Sequence, residues 1–200
     1  MTQSERRIYL IDRLAAERGE GIAVPENGQA QKRLLRALFN VRPPIPADEE
    51  FLRVQDAYLK EETRRKGVTD LADLAPIRPD IYLWQGDITT LKCDAIVNAA
   101  NSALLGCFCP NHGCIDNAIH TFAGVQLRLA CAELMAKQGH DEPTGQAKLT
   151  PAFDLPCRYV IHTVGPIVGG RLIERDCELL RSCYRSCLAL ADEKQLESIA

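Results

Sequence analysis

An α/β fold is predicted: a mixed sheet with helices on both faces, preceded by a small helical region. Three observations predict it. After residue 79, short apolar runs alternate with segments of helical periodicity. The run within CDAIVNAAN has the continuous apolar character of a strand buried on both faces. The first 78 residues carry helical spacing and helix punctuation instead.

In chain order, Ser4 is placed to cap a helix whose Ile8, Ile11, Leu14 and Ala15 recur at helical spacing, with Gly19 as its stop. A second helix is expected after Asn27, burying Leu34, Leu35, Leu38 and Phe39 and ending before NVRPPIP, where adjacent prolines exclude helix. A third is expected from Asp48 to Lys66, anchored by Phe51, Leu52, Tyr58 and Leu59 and stopped by Gly67. Residues 1–78 thus form a helical cap, and residues 79–200 the sheet-centred domain. In that domain IYLWQGDIT and CDAIVNAAN read as strands in quick succession, followed by one long helix over 115–139. The strand YVIHTVG and a helix over roughly 172–194 follow. The last residues, ESIA, read as the start of a further strand, so the domain is expected to be cut short within itself.

Composition excludes several classes. With 24 basic and 27 acidic residues the net charge is −3, and neither half of the chain is strongly basic. A polyanion-binding surface is therefore not expected, and nucleic acid is excluded as a partner. No window approaches the ~18 apolar residues of a membrane span, and the charged N-terminus is unlike an export signal. A cytoplasmic location and no membrane association are expected. Nine cysteines, an odd number in such a chain, fit metal binding or burial better than a disulfide framework.

The segment LLGCFCPNHGCIDNAIH, residues 104–120, concentrates the chemistry. Cys107, His112 and Cys114 form C-x4-H-x-C, bounded by the turn formers Pro110 and Gly113. Two thiolates and an imidazole in one tight loop suit a tetrahedral Zn2+. Cys109 is the one further ligand nearby: with it the site is a closed structural one, without it the metal keeps an open position, and a loop of free buried cysteines is the third alternative. Cys114 would precede a helix starting near Ile115, whose free N–H groups and positive dipole end attract phosphate oxygens. Asp87, Asn98 and Asn101 are expected at strand ends, where ligands of such sheets bind, although Asp and Asn are also ordinary turn formers. His120 and His162 fall in a helix and in an apolar strand, and read as hydrogen-bonded core histidines. Cys93, Cys131, Cys157, Cys177, Cys183 and Cys187 read as small buried apolar residues.

GDIT at 86–89, IVNAAN at 96–101, IDNAIH at 115–120 and YVIHTVGP at 159–166 together resemble the macrodomain family. The GCFCPNHGC insertion and the helical region before the domain resemble its zinc-dependent microbial branch. The resemblance implies a three-layer fold and an enzyme, a glycosidic-bond hydrolase removing mono-ADP-ribose from protein side chains. Lipoylated carrier proteins are associated with that branch. It selects Cys107, His112 and Cys114 as zinc ligands over Cys109. It implies that Asp87 and Ile88 hold the adenine, Asn101 the distal ribose, and Cys114, Ile115, Asp116 and Asn117 the diphosphate side. Asp116 and Asn101 are then the catalytic candidates, Asp116 as general base or as a charge opposite an oxocarbenium-like transition state, Asn101 orienting the ribose. Asp116 in a first helical turn is also what the helix dipole favours. The family's second phosphate loop has no counterpart in these residues. A module that binds ADP-ribose without cleaving it, its zinc structural, is the alternative.

Overall fold

The computed structural model describes residues 1–19 and 21–200. Helix α1 (Gln3–Arg18) is capped by Thr2, two residues before the expected Ser4, because Thr2 and Glu5 cap reciprocally: Glu5 N–H donates to Thr2 Oγ1 (3.2 Å) and Thr2 N–H to Glu5 Oε2 (2.7 Å). Helix α2 (Gly28–Val41) is capped by Asn27 and α3 (Glu49–Lys66) by Asp48, as local side-chain to backbone bonding predicts. The three helices close one core around Leu10, Ile11, Leu14, Leu35, Phe51 and Leu59, which Val125 joins from the following region.

Four short strands come next: β1 (Thr69–Asp70) pairs in parallel with β4 (Leu91–Lys92), and β2 (Pro76–Arg78) is antiparallel to β3 (Ile81–Tyr82). The buried strand expected over IYLWQGDIT is absent; Leu83 is 79% exposed and only Ile81 and Tyr82 pair. The chain reverses there, with the Trp84 ring lying on Gly86 so closely that a Cβ would meet it at 2.1 Å. A 3-10 turn over Ile88–Thr90, capped by Asp87, follows.

The main sheet consists of β5 (Ala95–Ala100), β6 (Ala147–Pro151) and β7 (Tyr159–Val164), in the order β5-β7-β6. β7 runs parallel to β5 and antiparallel to β6, giving the mixed sheet expected. Strand alternation sends Ile96, Val160 and Val164 toward α4 (Ile115–Ala123) and α5 (Val125–Gln138), and Ala95 and Ile161 toward α6 (Glu174–Glu193). Three layers result. Residues 198–200 hydrogen-bond beside β5 in parallel, so ESIA does lie along the sheet.

The single helix expected over 115–139 is broken at Gly124, whose φ of 89° and ψ of 174° are not helical. Gln55 of α3 fills the break: its Oε1 accepts the Val125 N–H (2.9 Å), and a Cβ on Gly124 would meet its Nε2 at 2.4 Å. No helix among the described residues is long and apolar enough to cross a membrane.

Candidate functional site

The loop between β5 and α4 is shaped by its own backbone needs. Asn101 ends β5 in a side-chain turn, Oδ1 accepting the Ala103 N–H (3.1 Å) while Nδ2 donates to the Gly106 carbonyl (3.1 Å). Leu104 takes a φ of 57°, a left-handed conformation costly for a branched residue, and its side chain is buried in the core in return. Gly106, at φ 78°, lies on the His120 ring; an added Cβ would meet the ring at 2.8 Å. The loop is thus laid directly on α4.

Beyond Gly106 the chain brings Cys107, His112 and Cys114 together, their ligand atoms all within 4.8 Å of one another. A turn closed by His112 N–H to the Cys109 carbonyl (3.2 Å) and by Asn111 at φ 55° makes this possible. The loop is held from outside by α2. Asn40 Oδ1 accepts the Asn111 N–H (2.9 Å), and Arg36 donates to the His112 carbonyl (3.0 Å) and to Asn117 Oδ1 (2.8 Å). Arg128 of α5 clamps the opposite side, donating to the carbonyls of Leu105 (2.8 Å), Phe39 (3.2 Å) and Arg42 with its guanidinium over the Phe108 ring. Burial lowers this arginine to about 10. Cys109 contributes its carbonyl to the turn, and its exposed thiol stands outside the three-donor group.

The donor set fits zinc chemically, two sulfurs and one imidazole on a half-exposed loop. Burial raises the Cys114 thiol, the Asn117 N–H opposes that rise, and the neighbouring Cys107 thiol adds to it. A divalent cation among these groups would relieve the mutual repulsion of the two thiolates. Cys114 is also the N-cap of α4, its sulfur accepting the Asn117 N–H at 3.4 Å. The N–H groups of Ile115 and Asp116 find no acceptor among the described residues. They are the free first donors of the helix, beside the metal ligands.

Other expected residues are placed differently. Asn98 is not at a strand end; it sits within β5, fully buried, and donates from Nδ2 to Asp116 Oδ1 (2.8 Å) and toward His162 Nδ1 (3.1 Å). Because that one nitrogen gives both hydrogens, His162 Nδ1 must accept, which assigns the ring proton to Nε2, donated to Thr150 Oγ1 (2.9 Å). Burial pushes His162 down to about 4, and it is neutral. Asp116 is buried, its carboxyl raised by burial and partly lowered again by Asn98. His120 departs from the hydrogen-bonded core histidine expected. It is buried, neither ring nitrogen has a hydrogen-bond partner, and Nε2 stands 3.6 Å from Asp116 Oδ1. The amide of Asn117 is held by Arg36 on Oδ1 and by the Cys109 carbonyl on Nδ2 (3.1 Å), which leaves one N–H of Nδ2 for a ligand. Asp87 is bonded to the N–H and hydroxyl of Thr89 and ion-paired with Lys66 (2.9 Å), and Ile88 packs on the edge of the core beneath.

Arg36, Arg128 and the Asn98–His162 pair were not singled out by the sequence as parts of the site. Arg128 had one signal, a charge on the same helical stripe as the buried Val125 and Cys131.

A three-layer mixed sheet, with a helix N-terminus and a donor-rich loop at the carboxyl end of β5, can be compared with known proteins. The pattern of the macro domain matches residues 97–200. This chain belongs to the macro domain family. It is 59% identical over 206 residues to a protein from Treponema medium named protein-ADP-ribose hydrolase, the match covering 100% of this chain and 79% of that protein. A protein of the same name from Staphylococcus aureus strain MRSA252 is 51% identical over 96% of this chain and 73% of its own. Among solved structures, the Trypanosoma brucei macrodomain in complex with ADP is 32% identical, with a TM-score of 0.58 over 84% of this chain and 72% of that one. This macrodomain therefore shares its fold with a nucleotide complex.

Proposed function

We propose that this macrodomain is a zinc-dependent hydrolase that removes mono-ADP-ribose from modified protein side chains in the cytoplasm. One observation carries the proposal: the three-donor group Cys107, His112 and Cys114 adjoins the free N–H groups of Ile115 and Asp116. The relatives named protein-ADP-ribose hydrolase support the reaction class. Ile115 and Asp116 hold phosphate oxygens through their N–H groups. Asp87 and Ile88 take the adenine, for which the Asp87 carboxylate must share or release Lys66. Asn101 orients the distal ribose. Zinc, when bound, supplies a Lewis acid at the oxygens around the anomeric carbon.

Asp116 acts as the base for the attacking water or as the negative charge opposite the oxocarbenium-like carbon. A carboxyl with raised proton affinity suits the first role, and the Asn98 amide fixes its orientation. A lipoylated carrier protein is the substrate proposed from the family resemblance. The second reading, a binder of ADP-ribose with a closed structural zinc, requires the Cys109 thiol to join the group.

The test is incubation with proteins ADP-ribosylated on known residue types, with and without chelator. Release of ADP-ribose that chelator or Cys114→Ala abolishes is expected. Full release by metal-free Cys114→Ala protein overturns the zinc-dependent reaction, and ADP-ribose binding without release from any linkage favours the binder.

A further inference from the structure

On the outer side of α4, away from the sheet, a groove of about 640 Å³ lies between α2, α3 and α4. Its floor is apolar, with Leu35, Phe39, Leu59 and Phe122 beneath. Its lining carries five cations, Lys32, Arg33, Arg36, Arg65 and Lys66, against one carboxylate, Glu62. Glu62 is paired with Lys32, Arg65 is held mainly by Glu61 (2.7 Å) beside the groove, and Lys66 is paired with Asp87. Arg33 has no ion-pair partner among the described residues, and Arg36 bonds only neutral oxygens. These two guanidiniums stand three residues apart on one face of α2. In a chain of net charge −3, positive charge is therefore gathered on one groove.

The groove also has a direction. Asn111 of the donor loop lines one end of it, and Arg36 reaches from it to the His112 carbonyl. A polypeptide whose modified side chain enters the site at Cys107, His112 and Cys114 would pass its neighbouring residues across this groove.

We propose that the groove is a docking surface for an acidic stretch of the substrate polypeptide next to its modified side chain, with carboxylates on Arg33 and Arg36 and an apolar side chain on the floor. This rests on the hydrolase reading for its purpose, and on charge complementarity for its occupant. A nucleic acid would need an extended basic track, which the even charge of the chain does not offer.

The experiment has two arms. In the first, fluorescence anisotropy measures binding of a short unmodified Asp/Glu-rich peptide containing one Phe, its Asn/Gln counterpart, and a single-stranded oligonucleotide. Wild type and the Arg33→Glu variant are compared, and the unchanged melting temperature of the variant shows that it folds. The acidic peptide is expected to bind saturably, to lose about tenfold in affinity in the variant, and to weaken with salt. Equal binding of the two peptides, indifference to charge reversal, or tighter binding of the oligonucleotide overturns the proposal. In the second arm, peptides ADP-ribosylated on the same residue, with acidic or neutral flanks, are hydrolysed. The acidic flank is expected to lower KM with kcat unchanged, and the variant to erase that difference while leaving the neutral peptide alone. If wild type hydrolyses neither peptide, the hydrolase reading fails, and the anisotropy arm still decides the groove.

Discussion

Two clusters of the same residue types lie close together in this protein, and they do opposite things. Cys107, His112 and Cys114 gather within 4.8 Å on a half-exposed loop, and His120, Cys131 and His162 gather within the same distance in the core. Spacing separates them in sequence, eight residues for the loop against 43 for the core, and burial separates them in the fold. In the core, His162 spends both ring nitrogens on Asn98 and Thr150, and burial pushes the Cys131 thiol up to about 12. In the loop, the backbone makes the turn, and of the three donors only the Cys114 sulfur is used by the fold, accepting the Asn117 N–H. His120 keeps both ring nitrogens unpartnered, so what separates the clusters is access: the core donors are sealed from solvent, and the loop donors are open to an incoming ion.

The largest expected effect breaks this contrast directly. Metal content measured on the purified chain should fall from one zinc to none in Cys114→Ala or His112→Ala, and stay at one in Cys131→Ala. Metal retained by Cys114→Ala but lost from Cys131→Ala would reverse the two assignments.

Next comes the core network. Asn98→Asp sets a second carboxylate against Asp116 and removes the donor to His162. A loss of roughly 3 kcal/mol is expected by denaturant unfolding, with metal content unchanged. The same network predicts a pH dependence. His162 holds a folded value of about 4 against 6.5 for the free group, so between these the unfolded chain binds more protons. Stability is therefore complete above pH 6.5 and lost as the pH falls toward 4, by up to about 3 kcal/mol. Burial holds His120 below its ordinary value too, so it adds to the slope in the same sense; a His162→Gln variant should show a shallower slope, and an unchanged one would show that His162 does not contribute.

How much of this was legible beforehand follows the range of the interactions. The helix starts at Asn27 and Asp48 were legible because each side chain bonds a backbone N–H two or three residues on, whereas the cap read at Ser4 falls to Thr2. The three-donor loop was legible because eight residues contain it. The helix break at Gly124 was not, since its filler, Gln55, lies 70 residues from Val125. Nor was β6, whose AKLTP is only half-buried and lacks a clean alternation. Asn98 was assigned to a strand end because the continuous apolar run stops at Val97, and nothing local says that Asp116 waits 18 residues on.

The contact between the two clusters gives a smaller effect. Gly106 carries the loop over His120, and Gly106→Ala adds a Cβ both into a left-handed backbone and against that ring. A loss of about 2 kcal/mol is expected, with weaker zinc retention in a chelator titration. A neutral substitution would mean that the loop floats free of α4.

The smallest expected effect is the most discriminating. Cys109 lies two residues from Cys107, of the same type and nearer in sequence to His112, yet its exposed thiol stands outside the donor group while its carbonyl closes the turn. Cys109→Ser preserves that carbonyl and removes only the sulfur. Zinc content and ADP-ribose release should both stay at wild-type levels, because an open metal position requires three protein ligands and no fourth. If Cys109→Ser loses zinc, the loop is a closed four-donor site, the metal is structural, and the chain binds ADP-ribose without a Lewis acid to cleave it.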